Sequence, residues 1–556
     1  MENSRLFLWA SLAFVLVLIY QQWQEDYAPV VAPVVAEAQD AVSAPPVAET
    51  APPIADQLPE AGAADASAPP VAVGSTATDA ASAAATAVVE TDVLRVLVST
   101  RGGDIVYTEL LQFAEHKGEA ERIVLLNTGD AEPFTFQSGV SIAGQGAGGS
   151  HLATFVPDQQ RVVMADGDDA VELTMTWSGD GVSVVKTYRF ERGSYLVTVS
   201  QEVRNDTSEA LRAVPYAQLQ RLYVPTERSL FSVEGYSFRG PVFYQDGHYD
   251  KLAPDDLREE PLEVQAAGSW AAVIQHYFVA AVIPGDDASY QYRVWMGQSD
   301  HYVVRLIAPQ LIVPAAGSAT STESLYVGPK TQEVLATIAP DLDLVVDYGT
   351  LHLIAKPLFM LLEFIHDLVN NWGLAIILVT LLIKLAFYKL SETSGRSMAK
   401  MRKMQPRLKL LQERYKDDKP KLNEHMMKLY QEEKINPAAG CLPILIQLPV
   451  FLSLYWVLLE SVELRQAPFA FWLQDLSSKD PYFVLPVLMG ISMLIQQKLN
   501  PAPPDPVQAK VMMVLPVVFT AFFAFFPSGL VLYWFTNNLL TIAQQYKINK
   551  VVEAEK

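Results

Sequence analysis

The sequence predicts an α-helical polytopic membrane protein that carries one large all-β domain outside the bilayer. Charge and apolarity separate along the chain. Residues 24–355 hold 18 Lys+Arg against 45 Asp+Glu, a net of −27, while the rest holds 23 against 17 together with the long apolar runs. Within residues 91–340 apolar positions recur every second residue in short runs broken by turn residues, the pattern of half-buried strands. Beyond residue 370, five stretches (371–388, 442–459, 482–499, 511–526 and 529–546) come near the ~17–25 residues that cross a ~30 Å hydrocarbon core.

A sixth apolar run, residues 6–20, follows Arg5 at the amino terminus. Gln21, Gln22, Trp23 and Gln24 supply no small-x-small cleavage site, and Trp23 suits a membrane interface. The run reads as an uncleaved signal-anchor, with a cleaved signal as the alternative. Residues 28–89 contain 22 Ala and 9 Pro and no Lys or Arg, which leaves little to bury and predicts an extended tether.

The β domain opens with a hairpin at 93–110, turning at Arg101-Gly102-Gly103. Val171, Leu173, Met175 and Trp177 alternate with polar residues; after Ser178-Gly179-Asp180-Gly181, the positions Val182, Val184, Lys186 and Tyr188 keep the same period. That predicts two antiparallel strands sharing one dry face. Segments 195–202, 270–282 and 290–308 add strands, and about 250 residues suffice for a β-sandwich core. Chemistry is sparse here. The eight histidines show no metal spacing, and Gly144, Gly146, Gly148 and Gly149 lack the phosphate-loop pattern. The acidic balance disfavours nucleic acid. Cys441, the only cysteine, excludes an intramolecular disulfide and a Cys-built metal cluster.

Residues 357–369 place Glu363, His366, Asp367 and Asn370 at helical spacing, which predicts an amphipathic helix in the outer interface or the start of the next span. Residues 389–434 carry 13 Lys+Arg against 7 Asp+Glu and are therefore assigned to the cytoplasm. Parity then sends 24–370 outside and both chain ends inside. In this cytoplasmic segment Met401, Met404, Leu408, Leu411 and Tyr415 form one helical stripe, with Pro406 a point of kinking. A turn at Asp417-Asp418-Lys419-Pro420 leads to a second helix through Leu422, Met426 and Leu429. The basic hairpin lies beside anionic phospholipids. Met401, Met404 and Met427 either adapt to varied apolar substrates or pack helix on helix. The division is 1–24 anchor, 25–90 tether, 91–340 β domain, 341–370 connector, 371–390 second span, 391–440 hairpin, 441–546 four further spans and 547–556 tail.

Polar residues inside the spans are the candidate site. Lys384 lies in the run Leu374–Lys384, where a charge costs ~2.5–3.5 kcal/mol unless it faces a cavity or partner, although its stem also reaches the cytoplasmic edge. Thr380 is one turn earlier. Gln447, Gln496, Gln497, Asn537, Asn538 and Thr541 mark other spans as lining a wet interior or a polar seam.

The strings Ser397-Met-Ala-Lys-Met-Arg-Lys-Met-Gln-Pro, Glu433-Lys-Ile-Asn-Pro-Ala-Ala-Gly-Cys-Leu-Pro, Gln447-Leu-Pro, Ser461-Val-Glu-Leu-Arg-Gln-Ala-Pro-Phe-Ala and Phe526-Pro-Ser-Gly-Leu-Val-Leu-Tyr-Trp make residues 340–546 recognisable. They resemble the YidC family of bacterial inner-membrane insertases. Phe238-Arg-Gly and Gly268-Ser-Trp-Ala-Ala-Val-Ile-Gln-His-Tyr-Phe resemble the periplasmic domain of its Gram-negative form. The resemblance implies six spans with a five-helix insertase core, a β-supersandwich, and a hydrophilic groove open to cytoplasm and lipid. It also implies insertion of nascent inner-membrane proteins, alone or beside the Sec translocon, with the ribosome as a further partner. Neither an enzyme activity nor a cofactor or metal is implied. Lys384 takes the position usually held by the groove arginine, keeping its charge but not its planar fork. Thr380 matches the groove threonine and Trp534 a substrate-contact position often held by tyrosine. Gln447 and Asn538 join them as groove candidates. A small-solute transporter or channel is the rival reading, disfavoured by the wholly apolar stretch 373–379. A membrane-anchored scaffold would need fewer spans.

Overall fold

The computed structural model describes residues 58–59, 85–129, 132–225, 237–297, 300–415, 418–433, 442–500 and 506–554. The expected amino-terminal anchor and nearly all of the tether lie outside the described residues, as do 434–441.

Two sheets build the β domain. The larger runs Leu262–Ala266, Tyr290–Met296, His301–Ile307, Leu211–Leu222, Phe134–Ile142, Ile105–Ala114, Leu94–Ser99, Thr86–Glu90, Arg161–Val163; the other runs from His248–Lys251 through Gly240–Gln245, Trp270–Gln275, Phe278–Pro284, Gly317–Pro329, Leu196–Asn205, Val182–Glu191 and Ala170–Gly179 to Val156–Pro157. The expected hairpin is present, in register from Ala170↔Glu191 to Gly179↔Val182. Asp180 (φ 47°) and Gly181 (φ 73°) both sit at positive φ, as a two-residue type I′ turn requires.

Two expected single strands are each a hairpin. Segment 270–282 folds back at His276-Tyr277, and 290–308 folds back between Met296 and His301. Trp270–Gln275 and Phe278–Pro284 are buried on both faces, so no alternation in the sequence marks the turn between them. One continuous core draws Val96, Phe136 and Leu306 from the first sheet and Val184, Val199 and Tyr326 from the second. Lys186 points into this core, fully enclosed. Its Nζ donates to the carbonyl oxygens of Gly102 (2.5 Å) and Ser138 and lies 4.5 Å from the centre of the Phe155 ring. Burial pushes the Lys186 ammonium below its ordinary pKa and the neighbouring Asp104 carboxyl above its own, each opposed by the other's charge.

The membrane region follows as helices α1 (His352–Val369), α2 (Trp372–Ala386), α3 (Tyr388–Lys403), α4 (Gln405–Arg414), α5 (Lys419–Glu432), α6 (Leu442–Glu460), α7 (Val484–Leu499), α8 (Pro506–Phe523) and α9 (Ser528–Ala554). Asn370 (φ 50°) closes α1 with its amide on the His366 carbonyl, and the Asn371 side chain accepts from Leu374 N (2.9 Å) to open α2. Helix α1 buries Ala355, Phe359, Leu362 and Ile365 while exposing Leu353, Met360, Phe364 and Leu368. It starts at His352, one turn ahead of the expected 357.

The reading of residues 391–440 is also corrected. Its stripe is not one kinked helix: the chain breaks at Met404, and Pro406 sits in the first turn of α4, where a missing N–H is harmless. The turn before α5 is capped by the Asp418 carboxylate on Lys421 N (3.1 Å). Among the described residues no single helix is long and apolar enough to cross a membrane alone; α2 and α3, bent by 69°, pass that test only together. Length limits α2, whose 15 residues rise only about 22 Å, whereas the 27-residue α9 is interrupted by polar residues such as Asn537, Asn538, Gln544 and Gln545. A second core, including Ile376, Val379, Leu454, Val457, Met489 and Val531, holds α2, α6, α7 and α9 together. Gly490 permits close packing of α7 on α8, because a Cβ there would lie 1.9 Å from Thr520 Oγ1.

Candidate functional site: the polar seam around Lys384

Helix α9 organises the seam. Trp534, Asn538, Thr541 and Gln545 step by 4, 3 and 4 and so share one face. The Lys384 ammonium, half-buried on α2, donates to Thr541 Oγ1 (3.0 Å), and the Thr541 hydroxyl in turn donates to the Asn537 carbonyl (2.6 Å). Asn538, buried, donates to Ser492 Oγ on α7 (3.1 Å), and Gln545 donates to Asn500 Oδ1 beyond the end of α7 (2.7 Å). Gln544 reaches the Tyr388 carbonyl at the α2–α3 bend (3.3 Å). Polar groups in a low-dielectric region are thus paired across helices.

The expected site residues do not converge on one point. Thr380 is enclosed and bonds back to the Ile376 carbonyl (2.6 Å) within α2. Trp534 stands in an aromatic cluster, with ring centres 4.6 Å from Phe451, edge to face, and 5.1 Å from Phe523. Gln447 is half-buried on α6 and shares no described hydrogen bond with Lys384. In the arm α3–α5 Met404 is buried at the α3–α4 break, Met401 half-buried and Met427 exposed on α5. Sequence reasoning noted Thr541 but not its role as the seat of Lys384, and it missed Ser492 and Gln545. The 4-3-4 step from Trp534 to Gln545 was the available signal.

The electrostatic setting of Lys384 is sparse. Among the described residues no carboxylate lies within ion-pair distance of it, and its described hydrogen bond goes to a neutral hydroxyl. Such a charge in a partly enclosed, low-dielectric setting attracts an arriving anion strongly.

The family described as 60Kd inner membrane protein matches residues 364–555, and the YidC periplasmic domain matches residues 86–361. The membrane protein insertase YidC of Thioalkalivibrio sulfidiphilus is 44% identical over 100% of this chain and 99% of its own length. The chain belongs to the YidC membrane insertase family. The insertase YidC of Methylococcus capsulatus is 45% identical, again over 100% of this chain and 99% of its own. A solved structure of an active YidC insertase with its first transmembrane domain resolved covers 83% of this chain and 92% of its own, at 18% identity and a TM-score of 0.37. As a YidC family member, the protein is a multi-pass inner-membrane protein with a polytopic helical region and a large periplasmic β-sheet domain.

Proposed function

We infer that the protein is a membrane protein insertase and chaperone, and that Lys384 is the charge of a hydrophilic groove receiving the polar end of each client. The ammonium seated on a neutral hydroxyl, with no carboxylate in ion-pair distance among the described residues, carries this reading. A polar groove hydrates a short translocating segment while the client's apolar segment meets lipid at the open side. Transfer of that segment out of water supplies the driving force, at about 25 cal/mol per Å². No covalent step is required, so the activity is not enzymatic. Nothing favours the transporter reading.

Six spans are proposed: the amino-terminal anchor, then α2, α6, α7, α8 and α9, the last five forming the insertase core. Their short apolar lengths are accommodated by a locally thinned bilayer. The basic arm α3–α5 faces the cytoplasm beside anionic phospholipids and receives clients through Met401, Met404 and Met427, the exposed Met427 first. Thr380, Gln447, Trp534 and Asn538 line or shape the groove. Nascent inner-membrane proteins are the clients, with the Sec translocon and the ribosome as working partners. The two-sheet domain is the family's supersandwich.

The test uses protein-only liposomes and two clients differing only in the charge of the translocated tail. Lys384→Arg should preserve insertion of both. Lys384→Ala should lower the acidic-tailed client several-fold more than the neutral one, and Lys384→Glu should lower it further through repulsion. Equal yields from Lys384→Ala and the parent for both clients would remove the groove-charge role.

A further inference from the structure

We propose that the periplasmic β domain is latched to the outer end of the membrane region by a buried Lys330–Glu460 ion pair. In that docked position it clamps the 461–483 connection over the helix ends, with Lys330 and Glu460 as positioning residues. Lys330 follows the long strand Gly317–Pro329, and Glu460 is the last residue of α6. Their Nζ–Oε2 distance is 3.0 Å, and the two side chains are 1% and 3% exposed. Beside them, His276 Nε2 donates to the Leu459 carbonyl (3.0 Å), which fixes the proton on that nitrogen.

The same contact continues onto the connection. Arg465 donates to the carbonyls of Ala114 and Glu115 (2.8 Å each) and covers the Phe278 ring, and Gln466 Nε2 also reaches Ala114 O (2.8 Å). In return, Lys117 Nζ donates to the carbonyls of Gln466 (2.8 Å) and Gln474. Beneath it, the connection caps helix starts. Asp480 accepts from Leu485 N (2.7 Å), the Ser478 and Leu476 carbonyls accept from Ser528 N (2.7 Å) and Gly529 N (2.9 Å), and Asn371 Nδ2 donates to Phe469 O (3.0 Å). Helices α2, α7 and α9 therefore meet under one strap whose upper face is held by the β domain.

A buried ion pair is a costly way to gain stability, because desolvation offsets its attraction, yet losing one partner strands a charge. Here it fixes which surface docks where: a β domain docked in a shifted register would bury Lys330 or Glu460 without its partner. The device rewards one docking register and penalises the rest.

The experiment is amide hydrogen exchange on the full chain in lipid nanodiscs. Glu460→Gln and Lys330→Met should each speed exchange in 464–477 and in 114–119 at least tenfold, leaving the strand interior 197–203 protected. The reversed pair Lys330→Glu with Glu460→Lys should restore slow exchange in both segments. Unchanged exchange in Glu460→Gln and Lys330→Met overturns the latch. So does a reversed pair that fails to restore protection, or loosening that extends into 197–203, since Lys330 would then serve the β fold alone.

Discussion

Two lysines in apolar surroundings behave oppositely. Lys186, in the β domain, is fully enclosed, holds two carbonyl oxygens, lies against an aromatic ring and is opposed by Asp104. Lys384, in the membrane region, is half-buried and has one described bond, to a hydroxyl. A structural charge has its capacity filled by the fold, because an unfilled buried donor costs stability. A charge kept for an incoming group leaves capacity open and is tolerated where water or lipid headgroups lie within reach. The β domain gathers most of its apolar residues into one core and leaves only scattered ones such as Val156 and Ile312 exposed, while α2, α7 and α8 expose Leu381, Val487, Val514 and Val517 to the surroundings. The same composition rule is applied in two solvents.

The sharpest break of this contrast is Lys186→Ala, which strands Asp104 and two carbonyls and should destabilise the β domain by about 3–5 kcal/mol. Urea unfolding of the detergent-solubilised chain, followed by tryptophan fluorescence, measures it. The double change Lys186→Met with Asp104→Leu should recover most of the loss.

Glu463 offers a smaller effect with a defined sign. Its carboxylate oxygens are shut from water without a hydrogen-bond partner among the described residues, and burial, aided by the charge of Glu363, pushes its pKa up to about 7. The folded state then holds a proton that the unfolded chain releases near 4.5. Stability should fall as pH rises from about 4.5 to 7 and stay reduced above. Glu463→Gln should match the parent near pH 4 and exceed it at pH 8, by on the order of 1–3 kcal/mol, in thermal unfolding at the two pH values.

Thr541 tests the seat of Lys384. Thr541→Ser should keep insertion of the acidic-tailed client, whereas Thr541→Val should reduce it by a few-fold with little change for the neutral-tailed one. Equal insertion of both clients by the valine variant would show that the hydroxyl does not hold the ammonium in place. The smallest effect belongs to the tether. Deleting residues 28–84 should leave insertion largely intact, because the segment has no anchoring side chains; a folded deletion variant without insertion activity would contradict this.

Much of the fold was legible because local periodicity reports which face is buried. The 170–191 hairpin, the split at Pro527 and the Asn370-Asn371 break all follow from single residues with fixed backbone or capping preferences. Even Lys186 fell on the dry face by alternation alone. The turn at 276–277 was hidden because strands buried on both faces carry no alternation. Met404 was placed on the correct stripe, but the break beside it depends on Pro406 preferring a helix start.

The sequence by itself determined two solvents for two halves, the strand and helix periods, the capped breaks and the presence of an intramembrane lysine. Tertiary structure alone decided the partners. Lys384 meets Thr541 across 157 positions and Lys330 meets Glu460 across 130. Periodicity assigns a side chain to a face, but it carries no record of which distant face will pack there. That choice is made by shape and by the need to match every enclosed polar group at once, and both exist only when the chain is folded.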